Sequence, residues 1–158
     1  MGNLNFKLDL DKIGLQGEKH VTLELIKEGS TLLKDNDNKY YDLKMLMPNG
    51  SEVLFEVKTD VLCKPDNDTG NMFIEFECRG EESGIKVTKA EHFVYYLPFL
   101  NQMWFIKVKD LIFILNNNDF RTTTMSGDKD SNTKGYLLGR EWFRKAFKVR
   151  ETNYEWEI

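Results

Sequence analysis

Cysteine and histidine are both rare here, two of each in 158 residues. Cys63 and Cys78 belong to no CxxC pair, and neither His20 nor His92 stands at a zinc-like interval. That spacing argues against a structural zinc centre. The thiols therefore read as free groups in a reducing cytoplasm, with Cys78 on an apolar strand face. No apolar run approaches the ~20 residues of a membrane span. The opening MGNLNFKLDLDKIG lacks the basic start and apolar block of a secretory leader. Phe6 stands where a myristoylation signal carries Ser or Thr. An excess of positive charge is missing as well. The net charge is -4 and the pI about 5.3, the reverse of a nucleic-acid binder's usual footprint. Two facts soften that exclusion. A metal-dependent site gathers carboxylates whose local sign a bound cation reverses. The basic residues are also unevenly placed, with Lys129, Lys134, Arg140, Arg144, Lys145, Lys148 and Arg150 meeting few acids before the tail.

What is present suffices for a core. Hydrophobic residues make up 41% and aromatics 13% of the chain, which suits one domain over residues 1–158. A charged fraction of 30% and a mean hydropathy of -0.51 describe a well-solvated surface. The spacing of Val21, Leu25 and Ile26 predicts a helix over 15–27, stopped by Gly29, with Glu18 on or beside its inward face. A hairpin follows, with strands 40–47 and 51–58 about the turn Pro48-Asn49-Gly50. Residues 59–70 read as a polar loop and 72–78 as a third strand, with turns at Gly80 and Gly84. A short helical turn is expected over 88–91, strands over 93–97 and 103–108, and a helix over 109–115. Loops are expected over 116–119 and 125–134, the latter polar enough to be mobile. A strand over 135–138 and a short basic helix from Arg140 complete the order. This succession predicts an α/β (α+β) core with a mixed central sheet flanked by helices.

The informative residues are Asp42 and, fourteen and sixteen positions on, Glu56 and Lys58. Two residues apart on a strand, Glu56 and Lys58 leave in the same direction, opposite an acid on the hairpin partner. Converging carboxylates repel unless a cation sits between them, and hard oxygen donors favour Mg²⁺ or Mn²⁺ over zinc. A lysine beside such an ion can orient or deprotonate a water, or stabilise developing phosphate charge. That is equipment for phosphodiester hydrolysis. An ExK triplet alone is weak evidence, since a solvated strand face produces it by chance. Context strengthens it: the triplet ends the apolar run VLFEVK, and Asp42 follows two tyrosines in a strand, where aspartate is disfavoured.

Asp42…Glu56-x-Lys58 resembles the signature of the PD-(D/E)xK nuclease superfamily, with Tyr41 in place of the proline that names it. The likeness takes in Glu18 of GEKHV and runs through TGNMFIEFE to SGIKVTKAEHFVYY. That layout is similar to small endonuclease-like proteins of phages and bacteria. The spacing of helix acid, Asp and ExK also resembles the archaeal-type Holliday junction resolvases. The resemblance covers about residues 15 to 110. It implies a restriction-endonuclease-like core and an ion held by Asp42, Glu56 and the Val57 carbonyl. It further implies a catalytic Lys58 and a further acid at Glu18. Glu75, taken as leaving a strand near the hairpin on its polar face, is a candidate addition, as is Lys89 as a phosphate contact. Arg140 and Arg144, on one face of the expected C-terminal helix, could track a DNA backbone. For Glu75 and Lys89 a solvated surface explains the residue about as well. His20 and His92 read as surface or packed histidines, and Trp104, Tyr95 and Tyr96 as core aromatics.

The expected activity is Mg²⁺- or Mn²⁺-dependent DNA hydrolysis. A structure-specific endonuclease is favoured because the domain carries no added recognition module. The resemblance implies a homodimer, in which two sites reach two strands. An exonuclease of the same superfamily, a non-catalytic DNA-binding module and a metal-binding scaffold are the competing expectations. The asparagine- and lysine-rich style points to an AT-rich genome such as a phage.

Overall fold

The long segment before the hairpin is helical from further back than its apolar spacing predicts. The computed structural model describes residues 6–35, 39–126 and 132–157, and helix α1 spans Phe6–Lys27. Ahead of the buried stretch, Leu10 and Leu15 are exposed. Further along, Val21 and Leu25 are fully buried, as the spacing required. Gly29, at φ +96°, ends the helix, and the N–H groups of Gly29 and Ser30 donate to the carbonyls of Ile26 and Leu25.

After α1 come β1 (Thr31–Asp35), β2 (Leu43–Leu46), β3 (Glu52–Thr59), β4 (Asn71–Cys78), β5 (Glu81–Glu82), β6 (His92–Leu97) and β7 (Gln102–Lys107). Helix α2 (Val108–Asn116), β8 (Thr122–Ser126), β9 (Asn132–Gly139) and β10 (Lys148–Glu151) follow. Six strands form the main sheet in the order β1-β2-β3-β6-β7-β10, and four form a second sheet in the order β5-β4-β9-β8. Within the main sheet β3 and β6 run parallel and the other pairs antiparallel. The expected mixed sheet with α1 on one face is therefore present. Among the described residues no helix is long and apolar enough to cross a membrane.

Alternation along the central strands builds two cores. Val53, Phe55, Val94, Tyr96, Met103 and Phe105 pack toward Val21 and Leu25 of α1. Phe93, Tyr95, Leu97, Trp104 and Ile106 pack on the other face with Met72 and Ile74 of β4, Leu138 of β9 and Leu111 and Ile114 of α2. Strands buried on both faces read as nearly unbroken apolar runs, as HFVYYL and MWFI do. Val53 and Phe55 face α1 while Leu54 packs on the opposite core, so Glu56 and Lys58, in register with Leu54, leave toward the second sheet.

Several expectations change. Strand β4 does not pair near the hairpin. It belongs to the second sheet, with β9 and β5 as its partners. Of the expected loop over 125–134, residues 125–126 and 132–134 belong to the paired strands β8 and β9; residues 127–131, Lys129 among them, lie outside the described residues. Residues 88–91 form no helical turn; the short 3-10 turn is Gly84–Lys86. The basic helix from Arg140 is a 3-10 segment, Glu141–Ala146, broken at Phe143. Lys148 lies in β10, so the basic residues do not share one helical face.

Candidate active site

Asp42 lies one residue before β2. Its N–H still donates to the Phe55 carbonyl at 2.9 Å, extending the β2–β3 ladder by one bond. Its carboxylate then turns along β3, where Oδ2 accepts the Val57 N–H at 2.7 Å. Backbone groups two residues apart on a strand aim at the same neighbour. The Phe55 carbonyl bonds on the β2 side, whereas the Leu54 carbonyl and the Asp60 N–H bond on the β6 side. The Val57 carbonyl therefore leaves β3 on the edge that Asp42 occupies, just past the start of β2. Glu18 reaches that carboxylate from α1 and hydrogen bonds with it.

On the opposite side of Val57, Glu56 Oε2 accepts a hydrogen bond from the Thr88 hydroxyl at 2.8 Å. Lys58 lies beside it, its Nζ 5.7 Å from the centre of the Phe73 ring. A recess of about 70 Å³ is lined by Glu56, Lys58, Phe73, Glu75 and Ile85, among others. Its size admits an ion and a few waters but no nucleotide, so a large substrate must approach from outside. Glu75 thus joins the site, though by a different route from the expected one. It comes across from the second sheet, and its charge acts on Glu56. That approach depends on Gly84, at φ +54°, where a Cβ would stand 2.4 Å from the Glu75 carbonyl oxygen. Only glycine lets the 3-10 turn press against β4 there.

The electrostatics are those of a site short of positive charge. Burial, the Asp42 charge and the shared hydrogen bond push Glu18 up to about 8. Burial lifts Asp42 to about 6, against the pull of the Val57 N–H and Glu18. Burial, then Asp42 and Glu75, raise Glu56 to about 8, despite Thr88 and Lys58. Near neutral pH Glu18 and Glu56 hold protons that a nearby cation would displace, while Asp42 is largely ionised. Among the described residues no cluster of three or more His, Cys, Asp or Glu side chains is arranged to hold a metal ion by itself. The Asp42 and Glu56 carboxylates lie near enough for the charge of the one to raise the other, and the Val57 carbonyl leaves β3 on the Asp42 edge. This set suits Mg²⁺, which commonly keeps several waters and takes one or two carboxylates plus substrate phosphate.

The remaining candidates separate. Lys89 is exposed beside the site: its N–H donates to the Tyr40 carbonyl at 2.8 Å, and its ammonium stands 4.5 Å from the centre of the Tyr40 ring. Arg140 is only 4% exposed. Its guanidinium pairs with Asp68 and donates to the Asn71 carbonyl at 2.9 Å, so it pins the loop 60–70 to β9 and presents nothing to a DNA backbone. Arg144 is exposed but lies over Trp104, on β7, two strands away from β3, and it bonds Glu141 at 2.8 Å. The two histidines are packed, His20 against Tyr96 and Tyr154 and His92 against Phe55. Thr88 was not expected to matter, and its only sequence signal is its place in the segment Thr88-Lys89-Ala90. Because Arg140 serves the fold, Arg140→Ala is expected to lower stability by about 2 kcal/mol, discounted from a fully buried pair because Asp68 is partly exposed. Chemical denaturation measures the loss, and ion affinity at Glu56 should stay unchanged.

No protein-family model matches the chain, and the search of curated proteins gave no match either. Among solved structures, the bacterial homing endonuclease I-Ssp6803I matches over 65% of this chain and 71% of its own, at 18% sequence identity and a TM-score of 0.49.

Proposed function

We propose that the protein is a Mg²⁺- or Mn²⁺-dependent DNA nuclease of the PD-(D/E)xK type. The observation that carries this reading is the set of half-buried carboxylates around Val57, raised in pKa and beside Lys58. In this reading Asp42, Glu56 and the Val57 carbonyl hold the ion, with Glu18 steadying Asp42 through their shared hydrogen bond. The ion would neutralise the carboxylates and polarise a phosphate oxygen. Lys58 would donate to a non-bridging phosphate oxygen and stabilise the charge that grows there in the transition state. Glu75, on the other wall of the recess, would take a proton from an incoming water. Lys89, exposed at the rim, would meet a neighbouring phosphate. The spacing of Glu18, Asp42, Glu56 and Lys58, similar to that of the archaeal-type Holliday junction resolvases, favours cutting of branched or otherwise structured DNA by a homodimer.

The test is cleavage of labelled linear duplex, single-stranded and four-way-junction DNA with Mg²⁺, with Mn²⁺ or with EDTA. Metal-dependent cutting, strongest on the junction and giving internal products, is the expected result. A ladder growing from the ends would make the enzyme an exonuclease. Binding without cutting, with a steep salt dependence, would make it a DNA-binding module.

A further inference from the structure

We infer that Thr88 is a positioning residue whose hydroxyl fixes the orientation of the Glu56 carboxylate. The inference rests on the metal-site reading only for its consequence, not for its geometry. Thr88 belongs to a segment tied down on both sides. Before it, Gly84 is pressed against the Glu75 backbone. After it, the Lys89 N–H donates to the Tyr40 carbonyl at 2.8 Å and the Glu91 N–H to the Leu54 carbonyl at 3.0 Å. Three groups surround the Thr88 Oγ1: Glu56 Oε2 at 2.8 Å, the Tyr40 carbonyl at 3.1 Å and the Ala90 N–H at 3.1 Å.

A hydroxyl has one hydrogen to give and can accept in return. The Ala90 N–H occupies the acceptor side and so sets the rotation of the hydroxyl. The hydrogen then has two candidate acceptors, and the carboxylate is both the closer and, when ionised, the stronger. The Tyr40 carbonyl, already served by Lys89, does not need it. Glu56 is thereby held through Oε2 by the Thr88 hydroxyl. Partners of this kind, behind a ligand, govern how well a site holds its ion.

The test compares Thr88→Val, which keeps size and branching but has no hydroxyl, with Thr88→Ser, which keeps the hydroxyl and loses the methyl. Crystal structures of the metal-free proteins are expected to show the Glu56 carboxylate displaced by more than about 0.5 Å in Thr88→Val and in place in Thr88→Ser. Calorimetry with Mn²⁺ alone should find affinity about 10-fold weaker in Thr88→Val and restored in Thr88→Ser. A Glu56 that keeps its position in Thr88→Val would overturn the inference, as would parental Mn²⁺ affinity in that variant. If the parent chain binds no Mn²⁺, the metal centre is what fails, and the position of Glu56 still decides on Thr88.

Discussion

Replacing Lys58 by alanine is expected to slow DNA cleavage about 10³-fold without unfolding the protein and without weakening divalent-ion binding. Lys58 is half-buried on the same face of β3 as Glu56 and lines the recess with Glu75. Its recorded contact is a loose one, 5.7 Å from the centre of the Phe73 ring. Such a contact is worth well under about 1 kcal/mol, so losing it barely touches the fold. Nor does the ammonium ligate a cation. Its positive charge lowers the proton affinity of Glu56 and, by the same Coulomb law, would oppose a cation there. In the proposed nuclease, what its removal would take away is a donor to charge that develops only during reaction. Single-turnover rates, melting temperatures and Mn²⁺ calorimetry on the same variant separate these effects. A Lys58→Ala protein that cuts DNA at the parental rate would remove Lys58 from the chemistry.

The ion-free protein is expected to lose stability as pH rises from about 4 to about 8, and Mg²⁺ is expected to restore it. Glu18 and Glu56 rise to about 8 from 4.5, and Asp42 to about 6 from 3.8. Between those limits the folded chain holds protons that the unfolded chain has released, so unfolding becomes easier with each step in pH. The contribution is complete below the unfolded values and is gone once pH exceeds the folded ones. Its size is roughly 2–4 kcal/mol, well below the sum of the shifts, because neighbouring groups share protons and remain partly solvated. Below pH 4 the trend reverses at groups such as Asp68. Burial alone would raise its pKa, but Arg140 and the Gly70 N–H hold it below the usual carboxylate range. Urea denaturation at pH 5, 6.5 and 8 should show the decline, with a flatter profile in Glu56→Gln. At pH 8, Mg²⁺ at a hundred times its Kd should return about 2.7 kcal/mol, and EDTA should remove it. A pH profile that is flat, or that Mg²⁺ leaves unchanged, would mean that these carboxylates carry no such strain.

Much of this site was legible because local rules write it. Alternation in VLFEVK placed Glu56 and Lys58 on one face. The aspartate after two tyrosines stood out inside the expected strand 40–47, although it lies one residue before β2. The spacing from Glu18 to Val21 and Leu25 set an acid on the edge of a buried helix face. What sequence could not give was partnership across the chain. Strand β4 reads alike whether it joins the hairpin or a second sheet, and its pairing with β9 is decided by residues some sixty positions away. Glu75 was therefore placed in the site by an incorrect pairing. The intervals between Arg140, Arg144, Lys145 and Lys148 mimic a helical face. Nothing local shows that Arg140 is buried on Asp68, because burial of a charge depends on where its partner comes to rest. Thr88 was obscured for the same reason, since its hydroxyl matters only once Glu56 and Tyr40 are brought beside it.

Isothermal calorimetry of Mg²⁺ and Mn²⁺ into the protein at pH 8, with Glu56→Gln alongside, tests the ion site most directly. The parent should bind the ion with release of protons, since the raised carboxylates must give them up, and Glu56→Gln should bind at least 10-fold more weakly. A parent chain that takes up no ion, or a Glu56→Gln variant that binds as the parent does, would contradict the assignment of Asp42, Val57 and Glu56 as a metal centre.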